Sequence, residues 1–407
     1  MGAAPMRNCK VDRRRLLAAG AGAALAGAGL ARPLQAQSES SPSGGHNPFS
    51  QPEATFAGPE GLVAVLSCVP LSSMLVLNEG SGVHWYYADL AQQFDAVGVS
   101  RDEDGPDDGN EAWLPALMTL ATASNAFQFA RVPEFTDAVG FNPLGVDQTL
   151  LVGDPPNQLT LFRGALDPAR LAAAWDIAGY TMMSTSDGTS FWSIGTDGEV
   201  DLEHPVQRSV IAAFNNLALE GDILFCAPNR DLLEMALATA RGDSRSALES
   251  PAFGPALRTL PETTVSAIAL RASAVGMSSN LDSIEAGPVD DLIVQSDAEV
   301  GSMPPHAGLI TAVGAGAVTN EDGAGAGTAM IRIVTGSADA AEQVTKVVEY
   351  SWNEGTSLRT TQPYTNLMEI TVLDVDGDVA MIDFQQVSTS RVWSDLFFTR
   401  DTLPFIQ

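Results

Sequence analysis

QLTLFRGALDPARLAAAWDIAGYTMMSTSDGTSFWSIG, residues 158–195, is the stretch in which element types alternate most clearly. Residues 159–163, Leu-Thr-Leu-Phe-Arg, read as a strand. Asp167 followed by Pro168 reads as an N-cap with proline at the first helical position. Leu171, Ala174, Trp175 and Ala178 then recur at helical spacing, and Gly179 marks the end of that helix. Residues 180–185 and 189–195 flank Asp187-Gly188, a hairpin signal. Working outward, residues 205–219 read as a helix through Val206, Val210, Ile211, Phe214 and Leu217, and residues 222–227 as a strand. The order strand, helix, strand, strand, helix, strand is the split βαβ pattern of ferredoxin-like folds.

A second, weaker copy follows. Residues 328–334 read as a strand, Ser337 caps a helix with Ala341, Val344 and Val348 on one face, and residues 368–373 and 379–387 form a hairpin around 374–378. A second helix is expected over 390–398 and a short last strand over 403–406. Residues 264–271 and 308–318 are strand-like and extend or link the sheets. Upstream, residues 83–87 read as a strand and 89–97, 111–129 and 133–139 as helices; 61–77 fits either a strand or a short helix. The expected fold is therefore α+β: two ferredoxin-like (split βαβ) or related antiparallel sheet-plus-helix domains, over residues 58–250 and 251–407.

These domains follow a leader over residues 1–36 and a Ser/Gly/Pro-rich linker over 37–57. The leader contains Asp12-Arg13-Arg14-Arg15-Leu16-Leu17, a small and apolar run from 18 to 30, and a cut-site-like end at Gln35-Ala36. A basic n-region, a short apolar core and a small residue at the end are the parts of an export signal. The arrangement resembles the twin-arginine translocation signal, in which Ser/Thr-Arg-Arg-x-Phe-Leu-Lys is the pattern. Arg13, Arg14 and Leu17 match it; Asp12, Leu16 and Ala18 depart from it. The resemblance implies export of an already folded chain to the periplasm, cell envelope or extracellular space. Residues 141–180, with Phe-Asn-Pro-Leu-Gly-Val-Asp, Gly-Asp-Pro-Pro-Asn and Leu-Phe-Arg-Gly-Ala-Leu-Asp-Pro, are similar to a group of uncharacterised secreted or envelope-attached bacterial proteins. That likeness implies a compartment and carries no catalytic residue.

Composition narrows the chemistry. A formal net charge of -29 makes nucleic acid and anionic membrane surfaces poor partners. Lys10 and Lys346 are the two lysines of the chain, which excludes a phosphate-loop Gly-Lys-Ser/Thr and a Ser-x-x-Lys pattern. No second apolar run is long enough to span a membrane, so no transmembrane segment is expected in the mature chain. Cys68 and Cys226 remain after leader removal, and in an oxidising compartment they are either one disulfide or two buried thiols.

Asp102, Asp104, Asp107 and Asp108 lie in the densest acidic loop, and closely spaced oxygen ligands near glycine suit Ca²⁺. Pro106 breaks the EF-hand spacing, and a solvated acidic loop is the simpler reading; no other cofactor is expected. His46, His84, His204 and His306 are scattered and form no metal-ligand pair. Gly-x-Ser-x-Gly is absent, and both cysteines stand in apolar runs, which raise a thiol pKa rather than activate it. The expected function is non-enzymatic binding or a structural role, with an unspecified ligand or envelope protein as partner. The alternative is a secreted carboxylate-dependent hydrolase, stabilised by calcium at the acidic loop.

Overall fold

The computed structural model describes residues 58–72, 83–96, 98–102, 105–106, 130, 132–153, 158–185, 187–270, 308–314, 318–319, 325–326, 328–357 and 360–386. The leader, the linker, the expected helices at 111–129 and 390–398 and the expected strand at 403–406 lie outside these residues.

The chain begins with helix α1 (Glu60–Leu66), strand β1 (Val83–Asp89) and α2 (Leu90–Ala96). A minimal hairpin, β2 (Arg101–Asp102) with β3 (Gly105–Pro106), precedes α3 (Pro133–Val139), β4 (Gln148–Val152), β5 (Leu159–Arg163) and α4 (Pro168–Ile177). There follow β6 (Thr181–Ser184), β7 (Ser190–Ser193), α5 (Pro205–Val210), β8 (Asn216–Glu220), β9 (Ile223–Ala227), α6 (Arg230–Ala240) and α7 (Gly254–Leu257). Next come β10 (Thr264–Leu270), β11 (Gly308–Gly314), a small hairpin of β12 (Val318–Thr319) and β13 (Gly325–Ala326), and β14 (Thr328–Val334). Helix α8 (Ala338–Glu354), β15 (Met368–Asp376) and β16 (Val379–Gln386) complete the order.

Twelve of these strands form one antiparallel sheet in the order β15-β16-β14-β11-β10-β1-β4-β5-β9-β8-β7-β6. The fold is α+β, as its residue pattern predicts. Beyond β10, β14 leads through α8 into β15 while β16 lies between the two strands, which is a split βαβ arrangement.

The other half is a related form with one strand more. The helix expected over 205–219 stops at Val210, and residues 216–220 are strand. Ile211 takes φ 56°, outside helical space, and Gly221 (φ 63°) closes a tight β8–β9 turn. The buried Asn215 anchors the break, accepting from Gln207 Nε2 at 2.7 Å and donating to the Glu199 carbonyl at 2.9 Å. Val206, Ile211, Phe214 and Leu217 have helical spacing, but a satisfied buried amide outweighs a propensity of a few tenths of a kcal/mol per residue.

Both faces of the sheet are covered. One face carries Trp85, Tyr87, Leu161 and Phe225 beneath α1, α6 and α7. On the other face, Phe162 and Leu224 meet Phe135, Leu171 and Trp175 of α3 and α4. Further along that face, Ile331, Ile382 and Phe384 meet Val344, Val348 and Trp352 of α8. Neighbours such as Leu161 and Phe162 therefore enter different cores, and burial on both faces is why β9 reads as an unbroken apolar run. Each large side chain buried in this way contributes about 1.5–3 kcal/mol.

The local signals of the defining stretch reappear as geometry. Asp167 Oδ1 accepts from the Ala169 amide at 2.8 Å, and Gly179 takes φ 90° after the helix. Ser337 caps α8 by accepting from Ala340 N at 3.2 Å. Asp89, at the end of β1, caps α2 through the Gln92 amide at 2.9 Å.

Cys68 and Cys226 are two separate buried thiols, so the disulfide alternative gives way to the other. Cys68 follows α1 in the core on one face, whereas Cys226 shares β9 with Leu224 and belongs to the core on the opposite face. A disulfide needs Cα atoms within about 7 Å and converging Cβ atoms, and the intervening sheet denies both.

Candidate binding groove

Helix α8 lies along β15 and β16, and its amphipathic pattern explains why. Ala341, Val344, Val348 and Trp352 make one buried stripe, while Glu342, Lys346 and Glu349 stay outside. Trp352 is the anchor: its ring stacks on Tyr364 at 4.9 Å, packs on Phe384 at 4.5 Å, and its Nε1 donates to the Met368 carbonyl at 3.1 Å.

The end of α8 and the first half of β15 border a groove of about 650 Å³. Glu349 and Asn353 stand on its helix side, Glu369 and Thr371 on its strand side, and Ile370 and Leu373 with Trp352 supply its apolar surface. Ile370 and Leu373 share one face although they are three residues apart, because the β15–β16 register shifts between Ile370 and Val372. Thr371, the extra residue, uses its hydroxyl to donate to the Asp383 carbonyl at 3.1 Å. The groove lies beside a strand that pairs only with β16 among the described strands.

Elsewhere, buried polar groups serve the fold. Asp89 is 2 % exposed and accepts from Tyr87 Oη, Gln92 Nε2 and Gln148 Nε2, each at 3.2 Å. Burial, followed by the Asp89 charge, pushes the Tyr87 phenol well above its ordinary pKa, so it serves as a donor. A Cβ on Gly61 would stand 2.6 Å from the Tyr87 hydroxyl, so α1 approaches this cluster closely only through glycine. The buried Arg332 pairs with Asp383 at 2.6 Å and donates to the Ile331 and Ile382 carbonyls.

Arg241, at the end of α6, holds Glu220 in a two-pronged contact of 2.8 and 2.7 Å and also reaches Asp187 and Thr189 Oγ1. Hydrogen bonds from Thr185 and Thr189, with the Arg241 charge beyond them, hold the Asp187 carboxyl far below the usual range. These contacts clasp the β6–β7 turn to the β8–β9 hairpin.

None of the described positions singled out in the sequence lines the groove. Asp102 belongs to β2, while Asp104, Asp107 and Asp108 lie outside the described residues, as do Arg13, Arg14 and Leu17. Among the described residues no group of three or more His, Cys, Asp or Glu is placed to hold a metal. His204 caps α5: Nδ1 accepts from the Val206 amide at 3.3 Å, and Nε2 is 2.7 Å from the Ala178 carbonyl. His46 and His306 lie outside the described residues. Burial pushes the Cys68 thiol up to about 12 and the Cys226 thiol well above its ordinary value. Sequence reasoning missed the groove residues because Glu349 and Glu369 are twenty positions apart and each reads as an ordinary solvated carboxylate. The nearest signal was the Trp352 position at the end of an amphipathic helix.

The chain is thus an α+β protein built on a long antiparallel sheet with helices on both faces and an open groove beside one edge. No family model matches it, and no curated protein matches it. A solved structure described as "Structure of crystal form I of TP0453" is similar to it at 9% identity and a TM-score of 0.34, covering 81% of this chain and 97% of that one.

Proposed function

We propose that this is an exported binding protein of the cell envelope or extracellular space, with the α8–β15 groove as its ligand site. The groove carries the reading: an open volume of about 650 Å³, lined chiefly by the carboxylate, amide and hydroxyl groups of Glu349, Asn353, Thr365, Glu369 and Thr371 with Ile370 and Leu373 beside them, offers a polar ligand several partners at once. The leader at Arg13-Arg14 and the acidic composition support a place outside the cytoplasm. Among the described residues no helix is long and apolar enough to cross a membrane.

A carboxylate-dependent hydrolase is the second reading, favoured by Glu349 and Glu369 sharing the groove. Hydrolysis by two carboxylates calls for one in an apolar pocket that keeps it protonated. Both glutamates are exposed, which supports binding over turnover.

Fractionating cells that express the full chain tests the export half. The expected product is a shortened, exported protein, and Arg13→Lys with Arg14→Lys retains the precursor inside; a cytoplasmic wild-type chain sinks the assignment. Turnover of chromogenic glycosides and esters tests the other half. Hydrolysis that disappears in Glu349→Gln or Glu369→Gln replaces the binding reading with the hydrolase.

A further inference from the structure

We infer that the groove takes an extended, basic peptide segment, which adds to β15 as a thirteenth strand. This rests on the binding reading above and names its ligand class. The first observation is topological. Among the described strands β15 ends the sheet order, and a terminal strand presents backbone N–H and C=O groups on its outer side. Val372 to Asp376 pair in unbroken register with Asp383 to Val379, so the outer side of that run is a regular template.

The second observation is the position of the groove. It lies between that strand and a helix, the arrangement in which strand addition gains affinity from main-chain bonds and specificity from alternate side chains. Ile370 and Leu373 offer apolar contact to one face of an incoming strand, and Glu349 and Glu369 stand where its long basic side chains would reach.

Charge decides the partner. Asp339, Glu342, Glu349 and Glu354 on α8 and Glu369, Asp374 and Asp376 on β15 outnumber the one described cation of these two elements, Lys346, and Asp374 and Asp376 point to the sheet face away from α8. A second copy of this chain would bring like charges together at the same edge, and an acidic peptide would be repelled. A strand with Lys or Arg at alternate positions meets opposite charge along its length. It neutralises carboxylates that an edge otherwise uses to prevent self-association.

Fluorescence polarisation with the full mature chain and a labelled ten-residue peptide of alternating Lys and Val tests this. Saturable binding is expected, weakened about tenfold by Glu349→Gln with Glu369→Gln, since each rim ion pair is worth only a few-fold. Both positions are exposed, so far-UV circular dichroism should show the variant folded. Methylating alternate backbone amides of the peptide should abolish binding while leaving its charge unchanged. Equal binding of the methylated peptide would mean charge adsorption alone and would overturn the inference, as would failure of the unmodified peptide to bind. Saturable binding of a labelled small organic amine, lost in Glu349→Gln with Glu369→Gln, when the peptide does not bind would leave the binding reading standing and overturn strand addition.

Discussion

Asp187 shows how one residue ties pH to the fold. Its folded pKa is depressed, first by the Thr185 hydroxyl and then by the Thr189 amide and hydroxyl, with Arg241 also contributing. A carboxylate depressed on folding contributes stability that is fully present above its unfolded value, about 3.9, and lost as pH falls toward the folded one. Melting temperature should therefore drop more steeply below about pH 4 in the wild type than in Asp187→Asn. Parallel acid limbs would reject this role. The thiols make a second residue-scale case. Burial holds Cys68 and Cys226 protonated, so neither should react with iodoacetamide in the native protein at pH 8, and both should react in denaturant. Intact mass of the leader-cleaved chain, which lacks Cys9, would read two added groups; none in denaturant without reductant would mean that Cys68 and Cys226 are bonded.

At the scale of elements, the stop of α5 is decided by backbone geometry. Ile211 holds φ 56° and ψ -130°, a region that suits glycine, while its side chain is 48% exposed. Replacing Ile211 by glycine removes that strain and forfeits little burial, so the variant should be more stable by about 1 kcal/mol. Urea unfolding with unchanged slope would measure the gain, and a loss of stability would mean that Ile211 packs more than its exposure implies. The register shift at Thr371 acts on β15 in the same local way. It turns Ile370 and Leu373 toward α8 together and thereby shapes one wall of the groove.

The whole molecule is a sheet with two buried faces and two ends. Helices α1, α6 and α7 cover one face; α3 and α4 cover part of the other, and α8 the rest. At the β6 end, the strand is short and all four of its residues are exposed. At the β15 end, a nine-residue strand carries carboxylates and stands beside the groove. The two ends differ in length, charge and neighbouring helix, and among the described residues the β15 end combines a long template with a groove. The proposed export and peptide binding both belong to this scale, because a folded acidic surface has meaning only in the compartment where its basic partner is met.

Local instructions were legible in the chain by itself. The cap and proline at Asp167-Pro168, the stop at Gly179, the Ser337 cap and the Ala341–Val344–Val348 stripe all act within a turn or two of helix, where neighbouring residues decide the outcome. The α+β class and the antiparallel hairpins followed from the same short-range periodicities. Tertiary structure decided what depends on distant partners. The anchoring of Asn215 by Gln207 and the Glu199 carbonyl ended a helix that its spacing favoured. The sheet between Cys68 and Cys226 kept two thiols apart. The packing of Trp352 on Tyr364 and Phe384 brought Glu349 and Glu369 to the border of one groove, because side chains far apart in sequence become a site only when packing brings their elements together.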